Sequence, residues 1–259
     1  MENKLVTKKF ISDYSPCLFG TGEESTMFHN EKYLLKFIKS EYLKDDREQI
    51  IKRLEELSHP NIVIPEFLLH DRKSFLGYGM IYYSDYTSLD KIVSDTIFSK
   101  NKDYPFEVRK KIVLKLYETL EFLKRQQFAF YDIHGGNFLI KDDDVKIVDL
   151  DSGVFKGTTN ANVSYHPAYL HSSKQFALFA LSFIYNTDWM KFKLGFEHPM
   201  SRACQNKENL FRFLPDNLEE FYRYALGDDY YIFNETPDCL DSIDESIYDE
   251  SLQILQKRL

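Results

Sequence analysis

Cysteine is scarce in this sequence. Cys17, Cys204 and Cys239 are the full set among 259 residues, an odd number at wide spacing with no CxxC pair. That pattern argues against a disulfide framework and against a structural zinc site, and it makes a reducing cytoplasm the expected compartment. Long apolar runs are also lacking. The longest, FALFALSFIY at 176–185, is about half of the roughly 20 residues that cross a bilayer. It therefore reads as a helix buried inside protein. The start, MENKLVTKKF, has no apolar core of signal-peptide length. Basic residues are in deficit: 33 Lys and Arg stand against 41 Asp and Glu, a formal net charge of −8. No basic stripe interleaved with aromatics is present, so neither nucleic acid nor an anionic membrane is expected as a partner. Internal repeats and low-complexity linkers are absent. Between Arg223 and Lys257 there is no Lys or Arg while acids are dense, which reads as a solvated acidic face or loop.

What the sequence does hold is core material: 43% hydrophobic residues, with 22 Phe and 18 Tyr. The length fits one large domain or two small lobes sharing a core. KLVTKKFISDYSPCLFG reads as a strand segment ending at Gly20, followed by a turn-rich link and a compact apolar strand, EKYLLKFIK. DDREQIIKRLEELSH predicts an amphipathic helix with Ile50, Ile51, Leu54 and Leu57 on one side, stopped by Pro60. NIVIPEFLLHD and FLGYGMIYYS read as two further strands joined by a polar turn. From TSLDKIVSD, which begins at Thr87, the pattern becomes helical. Residues 105–127 predict the clearest helix, with Val108, Ile112, Leu116, Leu120 and Leu123 recurring nearly every fourth position behind Pro105.

The polar constellation falls where the strand-rich third gives way to helices. FYDIHGGNFLI, 130–140, packs Asp132, His134, Gly135, Gly136 and Asn137 between apolar runs, and VKIVDLDSG follows with Asp149 and Asp151. The aspartates and the asparagine of this set are hard oxygen ligands, and Mg2+ favours one or two carboxylates together with substrate phosphates. Phosphoryl transfer asks a protein for positioning, charge neutralisation and a carboxylate to orient the attacking hydroxyl. The glycine pair permits a tight turn that brings Asp132 and Asn137 onto one centre.

With these residues the sequence resembles the protein-kinase-like superfamily. By that resemblance Asp132 is the catalytic base and Asn137 and Asp149 hold Mg2+. FGTGEEST, 19–26, resembles a glycine-rich phosphate-covering loop, with Gly20 and Gly22 present and Ser25 in place of a third glycine. YLLKFIK resembles the strand whose lysine, here Lys36, meets the ATP phosphates. Glu48, or alternatively Glu55, would pair with that lysine from the following helix. LSHPNIV and GMIYYSDYTSL resemble the segment after that helix and the adenine-holding hinge, the hinge being Ile81, Tyr82, Tyr83 and Ser84. Together the matches cover about residues 15–185.

The implied fold is α+β and bilobal: an antiparallel β-sheet lobe with one helix over 1–83, and a mostly helical lobe over 84–259 carrying the catalytic loop. The implied activity is an ATP- and Mg2+-dependent cytoplasmic kinase acting on Ser/Thr of a protein. Three departures bear on the acceptor. Phe130-Tyr131 replaces the usual His-Arg, so a switch that docks a phosphorylated loop on that arginine is not expected. Asp132-x-His134-x-x-Asn137 resembles aminoglycoside phosphotransferases and choline kinases, which points to a small-molecule acceptor. The segment after Asp149 is short and lacks a clear Ala-Pro-Glu. Two further readings are a pseudokinase scaffold and nucleotidyl transfer. Whether Asp151 also reaches the metal is open at this stage.

Overall fold

Alternation along residues 33–38 sets the architecture. Side chains of a strand point to opposite faces at successive positions. Leu34 and Ile38 pack with Ile51, Val63, Leu68, Tyr78 and Met80, whereas Leu35 packs on the other face with Phe67 and Leu69. Lys36 falls on the first of these faces, and its Nζ lies 5.9 Å from the centre of the Tyr78 ring.

The computed structural model describes residues 1–17, 24–43, 46–92, 104–130, 132–160 and 163–165, with 175, 176, 179, 180 and 183. The fold is α+β. In chain order the elements are β1 (Glu2–Leu5), α1 (Lys8–Ile11), β2 (Ser15–Pro16), β3 (Ser25–His29), β4 (Tyr33–Ile38), α2 (Arg47–Arg53), β5 (Pro65–His70), β6 (Phe75–Ile81), β7 (Thr87–Ser88), α3 (Phe106–Arg125), β8 (Phe128–Ala129), β9 (Phe138–Lys141), β10 (Asp144–Ile147) and β11 (Val154–Phe155). A six-stranded sheet runs in the order β1-β5-β6-β4-β3-β2.

Two expectations are corrected. The sheet is mixed rather than antiparallel, because β1 lies parallel to β5 with Glu2 opposite Phe67. The first apolar segment is not all strand, because Thr7 caps a short helix by accepting from the Phe10 N–H at 3.1 Å. Phe10 and Tyr14 then cover the sheet face that carries Leu35, Phe67 and Leu69.

The sheet requires glycine where β6 meets β4. Gly77 has φ +150°, and a Cβ there would sit 2.0 Å from the Lys36 carbonyl oxygen. Gly77→Ala is expected to destabilise the fold by about 2–3 kcal/mol, read as a midpoint shift in urea.

The second core joins α2 and the 3-10 turn Leu54–Glu56 to α3 and the β9–β10 hairpin. α3 buries Phe106, Ile112, Val113, Leu116 and Leu123, close to the predicted stripe. The hairpin turns at Asp142, which has φ 55°. Residues 175, 176, 179, 180 and 183 are helical, and Phe176, Phe179, Ala180 and Phe183 are buried in this core, as expected for part of the 176–185 run. A backbone splice joins the sheet side to the hairpin: the Val63 N–H donates to Ile147 O at 2.9 Å, and the Ile147 N–H donates to Asn61 O at 2.7 Å. Among the described residues no helix is long and apolar enough to cross a membrane. Most of the predicted helical remainder, with Cys204 and Cys239, lies outside the described residues.

Candidate active site

The segment between β8 and β9 is shaped by its own polar residues. His134 caps the 3-10 turn Gly135–Asn137, its Nδ1 accepting from the Gly136 N–H at 3.1 Å. That bond assigns the remaining proton of a neutral imidazole to Nε2. Asn137 is 6% exposed. Its Nδ2 donates to the Asp132 backbone oxygen at 2.9 Å and to the Asp132 carboxylate at 3.1 Å. The Val148 N–H donates to Asn137 O at 2.9 Å, which ties the turn to the chain just before Asp149. Gly135 is required by packing: a Cβ there would lie 2.2 Å from an Asp90 carboxylate oxygen.

The His134 Nε2 lies 3.7 Å from Asp132. This proximity holds the Asp132 carboxyl below its ordinary 3.8, against the opposing effect of burial, with Asn137 assisting. It likewise raises the His134 imidazole above its ordinary 6.5, with burial opposing and Asp90 and Asp149 adding to the rise. Protonation surrenders the bond from Gly136 and strengthens the pair with Asp132. A raised folded-state value contributes stability that is fully present below the unfolded value and is lost as pH rises through the folded one. His134→Asn keeps a capping oxygen and removes the titration. It should therefore lower Tm most below pH 6.5 and progressively less as pH rises, which thermal melts across a pH series would measure.

Asp149 lies two residues beyond the end of β10 and stands at φ 63°, ψ 38°. This left-handed conformation is one that Asp and Asn tolerate better than most residues. Its turn directs two carboxylates at Lys36. Lys36 Nζ, on β4, pairs with Asp149 and lies 2.9 Å from Asp151. The Asp149 side chain is 29% exposed and the Asp151 side chain is fully buried. Arg47 of α2 meets the other Asp151 oxygen at 2.7 Å and Glu24 at 3.2 Å. Burial lifts the Asp149 carboxyl above the usual carboxylate range, and neighbouring Asp151 adds to this. Burial acts the same way on Asp151, but Lys36, Asp149 and Arg47 outweigh it and hold that carboxyl well below the range. For Lys36, burial opposes the charge, and Asp151, Tyr78 and Asp149 more than restore it.

Lys36, Asp149, Asp132 and Asn137, singled out in the sequence, thus come together. Ser25 is buried at the start of β3, while Gly20 and Gly22 lie outside the described residues. Of the residues expected to form a hinge, Ile81 ends β6, the Tyr82 N–H donates to Lys32 O, the Tyr83 ring meets Tyr86 edge-on, and Ser84 is exposed.

The helix glutamate is a correction. Glu48 pairs with Lys52 at 2.7 Å and lies 3.7 Å from His70. Glu55 pairs with the Met1 amino group at 2.9 Å. Neither meets Lys36. The reason is helical phase: Arg47, Ile50, Ile51 and Leu54 are the buried positions of this turn, at the i, i+3, i+4, i+7 spacing of one face. Glu48 sits about 100° around the helix from Arg47. Arg47 and Asp90 were not singled out in the sequence; the stripe that begins at Arg47 was the available signal for the first.

Among the described residues no group of three or more His, Cys, Asp or Glu is arranged to hold a metal ion. The oxygen donors of Asp149 and Asn137 nevertheless suit Mg2+, which needs few protein ligands when phosphates supply the rest.

No protein-family model matches the chain. Over 87 aligned residues it is 29% identical to a probable serine/threonine-protein kinase of fowlpox virus (strain NVSL). The alignment covers 31% of this chain and 29% of the viral protein, so the similarity spans less than a third of that relative's length.

Proposed function

We propose that the chain is a Mg2+- and ATP-dependent phosphotransferase with a bilobal kinase-like arrangement, its lobes being residues 1–83 and 84–259. The observation that carries the reading is the convergence of a buried strand lysine, Lys36, with Asp149 beside the Asp132–Asn137 turn. The partial similarity to a probable viral serine/threonine kinase supports the same class of chemistry.

Asn137 and Asp149 are the residues that would hold Mg2+, which neutralises charge on the ATP phosphates when bound. Lys36 would turn from the carboxylates to those phosphates. The loop containing Gly20 and Gly22 and reaching Ser25 would cover them, and Ile81 to Ser84 would hold adenine. Asp132, with a side chain 44% exposed, would accept the proton of the acceptor hydroxyl. The hydroxyl oxygen then bonds to the γ-phosphorus, the bond to the β,γ-bridging oxygen breaks, and ADP leaves.

The preferred acceptor is Ser/Thr of a protein, in the cytoplasm. A small-molecule acceptor is the second reading, favoured by His134 beside Asp132 in the Asp-x-His-x-x-Asn pattern. The test is transfer from γ-labelled ATP with Mg2+, offered a generic protein substrate or the small-molecule fraction of a cell extract. Label on protein supports the first reading, and label on a metabolite supports the second. Stabilisation by ATP without turnover would replace both with a pseudokinase scaffold.

A further inference from the structure

Lys36 must be held in place before ATP arrives, and it must then be free to leave its carboxylates for the phosphates. These demands conflict when the holding group is fully buried. Asp151 is fully buried and bonded to Lys36 at 2.9 Å, and an ionised carboxylate cannot be left buried and uncompensated without a large penalty. Arg47 resolves the conflict geometrically. Its guanidinium meets the second Asp151 oxygen at 2.7 Å from a side chain only 8% exposed. The two cations thus take one oxygen each. Arg47 also reaches Glu24 at 3.2 Å, just after the segment that contains Gly20 and Gly22.

We infer that Asp151 is the positioning residue for Lys36, in place of a carboxylate from α2, and that Arg47 keeps Asp151 charge-balanced when Lys36 moves to phosphate. The inference rests on the nucleotide-site reading above. It assigns Asp151 a role distinct from that of Asp149: Asp149 is the partly exposed carboxylate facing the site, and Asp151 is the buried anchor behind it. It also makes α2 and the start of β3 part of the same electrostatic unit through Arg47.

The two roles predict opposite effects on the exposure of Lys36. Removing the Asp151 charge should release the Lys36 ammonium. Removing the Arg47 charge should leave Lys36 as the principal countercharge and hold it more tightly. The rate of Nζ modification by an amine-reactive reagent, read peptide by peptide by mass spectrometry, reports this without any turnover. Lys146 is the internal reference, being buried and paired with Asp144 in a separate cluster.

In Asp151→Asn the ratio of Lys36 to Lys146 modification is expected to rise about tenfold, the size of a coupling between contacting charged groups. In Arg47→Met it is expected to stay at or below the wild-type ratio, while the KM for Mg·ATP rises more than kcat falls. Arg47→Lys should bring KM back toward wild type. A ratio in Asp151→Asn within about twofold of wild type overturns the inference, as does a raised ratio in Arg47→Met, which would mean simple loosening of the core. If Asp151→Asn does not fold, both lysines react at the rate of exposed ones and Arg47→Met decides alone. The nucleotide reading is scored separately, because Mg·ATP must slow Lys36 modification in the wild type. Absence of that protection sinks the nucleotide site and leaves the modification ratios to judge Asp151 and Arg47.

Discussion

Asp149→Asn is expected to lower Mg·ATP turnover by about a thousandfold or more, about 4 kcal/mol of transition-state stabilisation, while Tm stays level or rises. The two halves of this result have one cause. Asp149 sits in a poorly solvated position beside buried Asp151, and both conditions hold its carboxyl above the usual range. A carboxylate with a raised folded-state pKa is a burden on stability at neutral pH, since the unfolded chain ionises it more readily. Asparagine removes that burden. It also tolerates the left-handed backbone at φ 63°, and Lys36 keeps its second partner in Asp151. Any gain in Tm should therefore be greatest at neutral pH and fade toward acid, where Asp149 is protonated in both states. Loss of activity combined with loss of fold would show instead that Asp149 is a structural counterion.

Asp151→Ala is expected to behave in the opposite way. It strands two buried cations and should cost about 3 kcal/mol, the lower end of the penalty for breaking a buried pair. The lower end applies because Lys36 retains Asp149 and Arg47 retains the half-exposed Glu24. Against a total stability of about 5–15 kcal/mol this is a severe change, measurable by urea unfolding followed by tryptophan fluorescence or circular dichroism. Glu48→Gln should cost about 0.5 kcal/mol or less, because its pair with Lys52 is solvated. Comparable losses in the two variants would contradict the assignment of the buried anchor to Asp151.

The parts of the site that were readable in the sequence are those encoded locally. The turn from Asp132 to Asn137 is written in its own residues, and the glycine pair foretold its closure, whereas the cap by His134 emerged only from the structure. The compact apolar run around Lys36 placed it on a strand, and the stripe through Ile112, Leu116 and Leu123 located α3. What escaped the sequence depends on distant contacts. The parallel pairing of β1 with β5 joins residues more than sixty positions apart, and no local pattern encodes it. The resemblance favoured Asp149 in the Asp-Leu-Asp string, but the string did not show that the left-handed turn at Asp149 buries Asp151 and leaves Asp149 partly open. The face of α2 was read from its aliphatic residues, and the family resemblance supplied Glu48, or alternatively Glu55, as the partner for Lys36. A buried arginine extends that face by one position, and the acid partner came from the other side of the site.

The most direct test of the nucleotide site is a titration of Mg·ATP against the wild type, Asp149→Asn and Asp132→Asn. The account predicts tight binding to the wild type, a Kd for Asp132→Asn within about twofold of it, and a Kd for Asp149→Asn raised by about tenfold or more. On the proposed roles Asp132 would act on the acceptor hydroxyl, whereas Asp149 would act on the metal-bound phosphates. Equal affinity in all three proteins, or equal losses in both variants, would contradict it.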